Sequence, residues 1–158
     1  EEELLTIDYV AKVGTEELLI GKNVAELIDD RSTLQMGIGT IPDAVLKCLN
    51  NHKDLGVHTE MISDGIIDLV ANDVINNKFK GTHLNRTITS FAFGTRKLYD
   101  YVDDNPAFAF MDVEHVNNKI KIMKNKKMVA INSAIEIDLT GQVCADSIGT
   151  YQFSGIGG

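Results

Sequence analysis

The sequence has no tryptophan, only 2 prolines and only 2 cysteines. Cys48 and Cys144 lie far apart, and neither has a second ligand at metal-binding spacing. They read as buried thiols of a reducing compartment, which excludes a disulfide framework and a zinc module. No apolar run approaches the ~20 residues of a transmembrane helix, and Glu1–Glu3 opens no signal-peptide pattern. Positive charge is also scarce: 15 Lys and Arg against 23 Asp and Glu leave a net charge of −8. An acidic surface argues against general affinity for nucleic acid or anionic membrane. The local exception, Lys119, Lys121, Lys124, Lys126 and Lys127, lacks interleaved aromatics and Arg and reads as a solvated helix face. Four histidines, His52, His58, His83 and His115, show no metal spacing, so no metal is expected. The expectation is a single-domain cytoplasmic chain.

What is present is a regular alternation. A chain of 158 residues that is 44% hydrophobic can bury a sizeable core without staples. Helical spacing of Ile20, Val24, Leu27 and Ile28, behind a cap at Thr15, predicts a first helix, which Gly21 weakens. Thr33–Met36 reads as a strand running into Gly37-Ile38-Gly39, and Pro42 suits the first turn of a helix carrying Val45, Leu46 and Leu49. Gly56–Thr59 is a second strand, followed by a helix from about Ser63 to Ala71. Thr87–Phe91 is a third, followed by a helix from Thr95 to Val102. Phe108–Phe110 is a fourth, then a lysine-rich helix, then strands at Met128–Ile131 and Ile135–Leu139 with a turn at Thr140-Gly141. Strand and helix alternating every 20 to 30 residues or so predict an α/β fold with an open, mainly parallel sheet flanked by helices. In such sheets ligands bind beyond the carboxyl ends of the strands, at the point where strand order reverses.

Two features fall there. Gly37 and Gly39 permit close backbone approach ahead of a helix N-terminus, a place for a phosphate, a carboxylate or the oxyanion of a thioester. The competing reading is a plain strand-to-helix turn. Glu60, where the second strand ends, has three readings. It could hold a ribose 2′-hydroxyl in a nucleotide-binding module, although Pro42 stands where the third glycine of that fingerprint belongs. It could be a nucleophile attacking an acyl group. It could be a surface acid at the next helix, where Asp64 caps better. Glu136 is the rival carboxylate: Glu136 and Asp138 alternate with Ile135, Ile137 and Leu139, so the acids share the polar face of a strand. His58 has a supporting role around Glu60, and Tyr99 and Tyr101 read as packing.

The segments Leu34-Gln35-Met36-Gly37-Ile38-Gly39-Thr40-Ile41-Pro42 and Gly56-Val57-His58-Thr59-Glu60-Met61-Ile62-Ser63-Asp64-Gly65 resemble the glycine loop and the active-site segment of the acetyl-CoA hydrolase/transferase family. Leu98-Tyr99-Asp100, Asn105-Pro106, Asp138–Val143 and Ser154–Gly158 continue the match in order. The 4-hydroxybutyrate and butyrate:acetate CoA-transferases belong to that family. The resemblance implies a NagB/RpiA/CoA-transferase-like fold and a ping-pong transfer of CoA from an acyl-CoA to a short-chain carboxylate. Glu60 then forms an acyl-glutamyl anhydride and a glutamyl-CoA thioester, with Glu136 as second choice. Gln35 and the amides of Gly37 and Gly39 line the acyl and oxyanion side, and Gly155, Gly157 and Gly158 form a loop near CoA. CoA is a substrate, and no permanently bound cofactor is implied. Hydrolysis of acyl-CoA by the same intermediates is the alternative within the family, and a non-catalytic scaffold the alternative outside it.

The start without Met and the stop within a glycine-rich stretch lead to the expectation of a piece of a longer protein. Residues 1–14 would be a lead-in and 15–158 most of the second of two related domains, ending at the glycine loop. The missing N-terminal domain would be its first partner, and the face left open predicts self-association into a homo-oligomer. Without a second wall to exclude water, the isolated chain is expected to be inactive or a feeble hydrolase.

Overall fold

The structure is a computed structural model that describes residues 4–7 and 12–155. Helix α1 (Thr15–Ala25) leads into β1 (Thr33–Met36) and α2 (Thr40–Cys48). Then follow β2 (Gly56–Val57), β3 (Met61–Ile62), α3 (Ile66–Ala71), β4 (Thr87–Thr89), β5 (Phe91–Ala92), α4 (Arg96–Val102) and β6 (Phe108–Phe110). Short helices α5 (Val113–Val116) and α6 (Lys119–Met123) precede β7 (Met128–Ile131). Two small hairpins finish the described chain: β8 (Glu136–Ile137) with β9 (Val143–Cys144), and β10 (Ser147–Ile148) with β11 (Tyr151–Gln152).

The short strands join into one parallel sheet. β1 lies between β2 and β7, β3 pairs with β5, and β4 pairs with β6, all parallel. A bridge between His58 and Ile88 connects the β2 side to the β4 side. β2 and β3 are thus one strand interrupted at residues 58–60, and β4 and β5 are one strand interrupted at Ser90. Threonine hydroxyls splice the interruptions. Met36 donates its amide to Thr59 Oγ1 (3.0 Å), and Thr89 Oγ1 donates to the Glu60 carbonyl (3.0 Å). A side-chain oxygen there stands in for a ladder carbonyl, so the backbone polar groups stay paired where the strand deviates. The spatial order is β7, β1, β2/β3, β4/β5, β6, and the order reverses between β1 and β7.

The sheet has two unlike faces. Leu34, Met36, Val57 and Ile62 join Val45, Leu46 and Leu49 of α2, Ile66, Ile67 and Leu69 of α3 and Leu98 of α4 in one buried cluster. On the other face the strands present Thr33, Gln35, His58 and Glu60, and α5 touches that face through Val116 and Asn117.

Four expectations need correction. The stripe Ile20, Val24, Leu27 and Ile28 does not face the core as a unit, since Leu27 is 82% exposed and Ile20 40%. Instead α1 meets α2 through its small residues. A Cβ at Gly21 would lie 2.7 Å from the Ala44 carbonyl oxygen, so this glycine permits the contact rather than merely weakening the helix. Asp64 does not cap α3, whose N-cap is Gly65. Its carboxylate accepts from the Thr95 amide (2.9 Å) and from the Thr95 hydroxyl, at the start of α4. Glu136 does not share a solvated face opposite a buried one, because Ile137 and Leu139 are also exposed and both faces of that strand are open. Both cysteines are half-buried rather than buried.

Candidate functional site

The carboxyl ends of β7 and β1 and the break in the β2/β3 strand bring polar residues to a single row. Extending the register of the strand pairs puts Gly37 opposite Glu60 on one side and opposite Asn132 on the other. Ser90 completes the row, donating its amide to the Glu60 carbonyl (2.9 Å). One step back, Gln35 stands opposite His58. This alternation is the period-2 geometry of a pleated strand, so Gln35 and Gly37, and His58 and Glu60, necessarily share a face.

Glu60 is half-buried, and its Oε2 accepts a 2.6 Å hydrogen bond from Asn117 Nδ2 at the C-terminus of α5. A neutral amide orients a carboxylate without the charge neutralisation that a lysine or arginine partner brings. Asn132 and Gln35 pair side chain to side chain: Asn132 Nδ2 donates to Gln35 Oε1 (3.0 Å), and Gln35 Nε2 reaches Asn132 Oδ1 at 3.5 Å. Gly37 makes that arrangement fit, because a Cβ there would come within 2.8 Å of Asn132 Oδ1 and 3.1 Å of the Ile131 carbonyl. Its own N–H is already given to the Ile131 carbonyl at 2.8 Å, so the expected Gly37 amide donor is committed within the sheet.

His58 lies under this row, 1% exposed, with Nε2 2.8 Å from the Val116 carbonyl. Burial, followed by the nearby Lys80, His115 and His83 charges, holds its pKa below the ordinary histidine value against the opposing pull of the Val116 carbonyl. Lys80 is itself 4% exposed, and its Nζ donates to the carbonyls of Val57 (2.6 Å) and Arg86 (2.7 Å). Desolvation pushes its pKa down to about 7. His83 and His115 face each other with their Nε2 atoms 3.1 Å apart, and burial together with the His115 charge lowers the pKa of His83.

Past the end of β1, Gly39 is the N-cap of α2, with φ 115° and ψ 179°. It lines a cavity of about 370 Å³ together with Thr40, Asp43, Met61, Ser63 and Phe93. A wider apolar cleft of about 1260 Å³ runs past Phe91, Phe93, Tyr99 and Phe110. Glu60 lines neither space. Of the sequence candidates, Gln35, Gly37 and Glu60 come together, and Gly39 borders the row from the α2 side. Glu136 is on the β8–β9 hairpin, exposed, and Gly155 is exposed with no atom within 4 Å of where its Cβ would be. Gly157 and Gly158 lie outside the described residues. Asn117 and Asn132 were not singled out from sequence. Asn132 directly follows the strand at the reversal point, a signal that was available, whereas nothing local marks Asn117. Among the described residues no group of three or more His, Cys, Asp or Glu could hold a metal ion, and no helix is long and apolar enough to cross a membrane.

Known proteins match this arrangement. The acetyl-CoA hydrolase/transferase C-terminal domain matches residues 94–158. A 4-hydroxybutyrate coenzyme A transferase of Clostridium kluyveri is 54% identical over 147 residues, covering 93% of this chain and 34% of the relative. An acetyl-CoA hydrolase of Kluyveromyces lactis is 27% identical, covering 79% and 24%. The crystal structure of a 4-hydroxybutyrate CoA-transferase from Porphyromonas gingivalis superposes with a TM-score of 0.80 at 47% identity, covering 90% of this chain and 35% of that one. RipA from Yersinia pestis gives 0.82 at 32% identity, covering 90% and 33%. The chain therefore spans about a third of the length of the relatives it matches. Residues 94–158 carry the acetyl-CoA hydrolase/transferase C-terminal domain, and over most of its length the chain is similar in sequence and fold to CoA-transferases.

Proposed function

We propose that this chain carries the nucleophile of a CoA-transferase that moves CoA between an acyl-CoA thioester and a short-chain carboxylate. Residues 15–158 would form part of its second domain behind a lead-in of residues 1–14, with the active site closed by a further domain of the same enzyme. The observation that carries the proposal is Glu60: a carboxylate in the break between β2 and β3, level with the carboxyl end of the neighbouring β1, oriented by a neutral donor at 2.6 Å.

The chemistry follows from what a carboxylate can do to a thioester. One Glu60 oxygen attacks the acyl carbonyl and the carbon–sulfur bond breaks, giving an acyl-glutamyl anhydride and CoA thiolate. The thiolate attacks the glutamyl carbonyl and releases the acid as its carboxylate, leaving a glutamyl-CoA thioester. An incoming carboxylate reverses both steps. Acyl-CoA and glutamyl-CoA are both thioesters, so acyl activation is conserved as CoA passes through the higher-energy anhydride. The negative charge that builds on the carbonyl oxygen in each step calls for donors. The Gly39 and Thr40 amides at the α2 N-terminus and the Gln35 side chain are proposed for this, with Gly37 supplying room. Gly155, Gly157 and Gly158 are proposed as the loop against which CoA lies, and Glu136 as the alternative nucleophile. Hydrolysis is the second reading, favoured by the acetyl-CoA hydrolase among the relatives and by the solvent exposure of Asn117 beside Glu60.

The test uses the full-length enzyme that contains this chain. It is incubated with acetyl-CoA, reduced with borohydride, digested and analysed by mass spectrometry. Conversion of Glu60 to the alcohol is expected, and Glu60→Gln should lower transfer by roughly three orders of magnitude or more. Reduction at Glu136 would move the nucleophile. Consumption of thioester with no reduced residue would replace transfer by direct hydrolysis.

A further inference from the structure

The structure assigns His58 the role of a positioning residue for Glu60, acting through the C-terminus of α5; this rests on Glu60 being the nucleophile. Two ties run side by side between the strand and the short helix. His58 Nε2 meets the Val116 carbonyl at 2.8 Å, and two residues further along the same strand face Glu60 Oε2 meets Asn117 Nδ2 at 2.6 Å. Val116 and Asn117 are consecutive, so the first tie fixes the backbone from which the second donor projects. Helix α5 has only four residues and cannot hold itself in place, because a single turn does not recover the cost of its own nucleation. Its Asp112 cap secures the N-terminal end by accepting from the His115 amide. The Glu60 end depends on the buried Val116 side chain and on His58.

The chemistry of the ring is fixed by its surroundings. A carbonyl can only accept, so Nε2 carries the hydrogen. The buried Nδ1 has no partner among the described residues, and a second proton there would have no acceptor among them. The charges acting on the ring, Lys80 and His83 from the 77–86 segment and His115 from α5, each oppose a cation there. His58 therefore stays a neutral Nε2–H donor and takes no proton from substrate. It sits beneath the sheet row and does not touch the reacting atoms.

The test is a double-mutant cycle in the full-length enzyme, read as the rate at which Glu60 becomes reducible by borohydride after acetyl-CoA is added. His58→Phe keeps the ring volume but removes the donor, and should slow that rate on the order of 10- to 100-fold with KM for acetyl-CoA little changed. His58→Gln, which returns an N–H at similar reach, should recover most of it. His58→Phe combined with Asn117→Ala should be no slower than Asn117→Ala alone, since both act on one contact. The pH profile of kcat should be the same for wild type and His58→Gln. Should His58→Phe fail to fold, nitrogen NMR of the wild-type imidazole stands in for it, with Nε2 protonated and Nδ1 bare from pH 7 to 8. An undiminished rate in folded His58→Phe, additive effects in the cycle, a pH inflection lost in His58→Gln, or a ring that titrates in that range would each overturn the assignment. A wild-type label at Glu60 with any of these results refutes His58 alone, whereas a label elsewhere removes the reading of Glu60 itself.

Discussion

The two glycines after β1 look interchangeable in sequence and are not. Gly39 has φ 115° and ψ 179°, a region that only glycine adopts without strain, and nothing lies within 4 Å of where its Cβ would stand. Gly37 has ordinary backbone angles and a crowded Cβ position. Gly39→Ala should therefore cost about 1–3 kcal/mol of stability through the backbone alone. Equilibrium urea unfolding should show a lowered midpoint with an unchanged slope, and an unchanged midpoint would mean that the turn relaxes freely. The sequence could announce a loop there, because Gly-x-Gly after a strand is a local pattern. It could not divide the labour, because that depends on Asn132 and Ile131 arriving from 95 residues downstream. Glu60 stood out because a strand was expected to stop there; the structure instead interrupts the strand at residues 58–60 and resumes it as β3. Its partner Asn117 did not, since that 2.6 Å contact exists only once α5 is laid on the sheet.

Among the elements, the buried parallel strands and α2 read clearly, because continuous apolar runs and a 3.6-residue stripe are each other's signature in an α/β sheet. Helix α1 did not, and the reason is physical. Its apolar residues Leu18, Leu19 and Ile20 are exposed, and its buried residues are the small Gly21 and Ala25. A hydrophobic stripe is the wrong thing to look for when two helices approach backbone to backbone. The consequence is a prediction whose sign opposes helix propensity. Gly to Ala inside a helix ordinarily gains up to about 1 kcal/mol. At Gly21 the new methyl would meet the Ala44 carbonyl at 2.7 Å, a backbone atom that cannot rotate away. Gly21→Ala should therefore destabilise, by roughly 1–3 kcal/mol, as overpacked contacts do. A thermal melt that shifts upward would show instead that α1 can slide off α2. The terminal hairpins were misread for a related reason: alternation in Ile135–Leu139 suggested one buried face, but neither face of that strand is covered among the described residues.

For the molecule as a whole, the decisive asymmetry is between the two faces of the sheet. One is apolar and closed by α1–α4. The other is polar, and it buries an amine, an imidazole and part of a carboxylate within a few strands. Lys80 shows what that face costs. The two hydrogens of a neutral amine satisfy the Val57 and Arg86 carbonyls, and the third hydrogen of the ammonium form has no acceptor among the described residues. Its neighbours, His58, His83, His115 and Arg86, offer no negative charge. Its pKa accordingly falls from 10.5 to about 7 on folding. Between those two values the unfolded chain binds more protons than the folded one, so stability must rise with pH across that window. Below pH 7 the lysine is charged in both states and contributes no slope. Urea unfolding at pH 7, 8.5 and 10 should show wild type gaining on Lys80→Met by up to a few kcal/mol, on the order of what a shift of this size allows. The variant loses two hydrogen bonds, but that loss does not vary with pH, so the difference in slope isolates the amine. Parallel pH curves for the two proteins would mean that Lys80 keeps its proton in the fold, and that water or a moving carboxylate reaches the polar face.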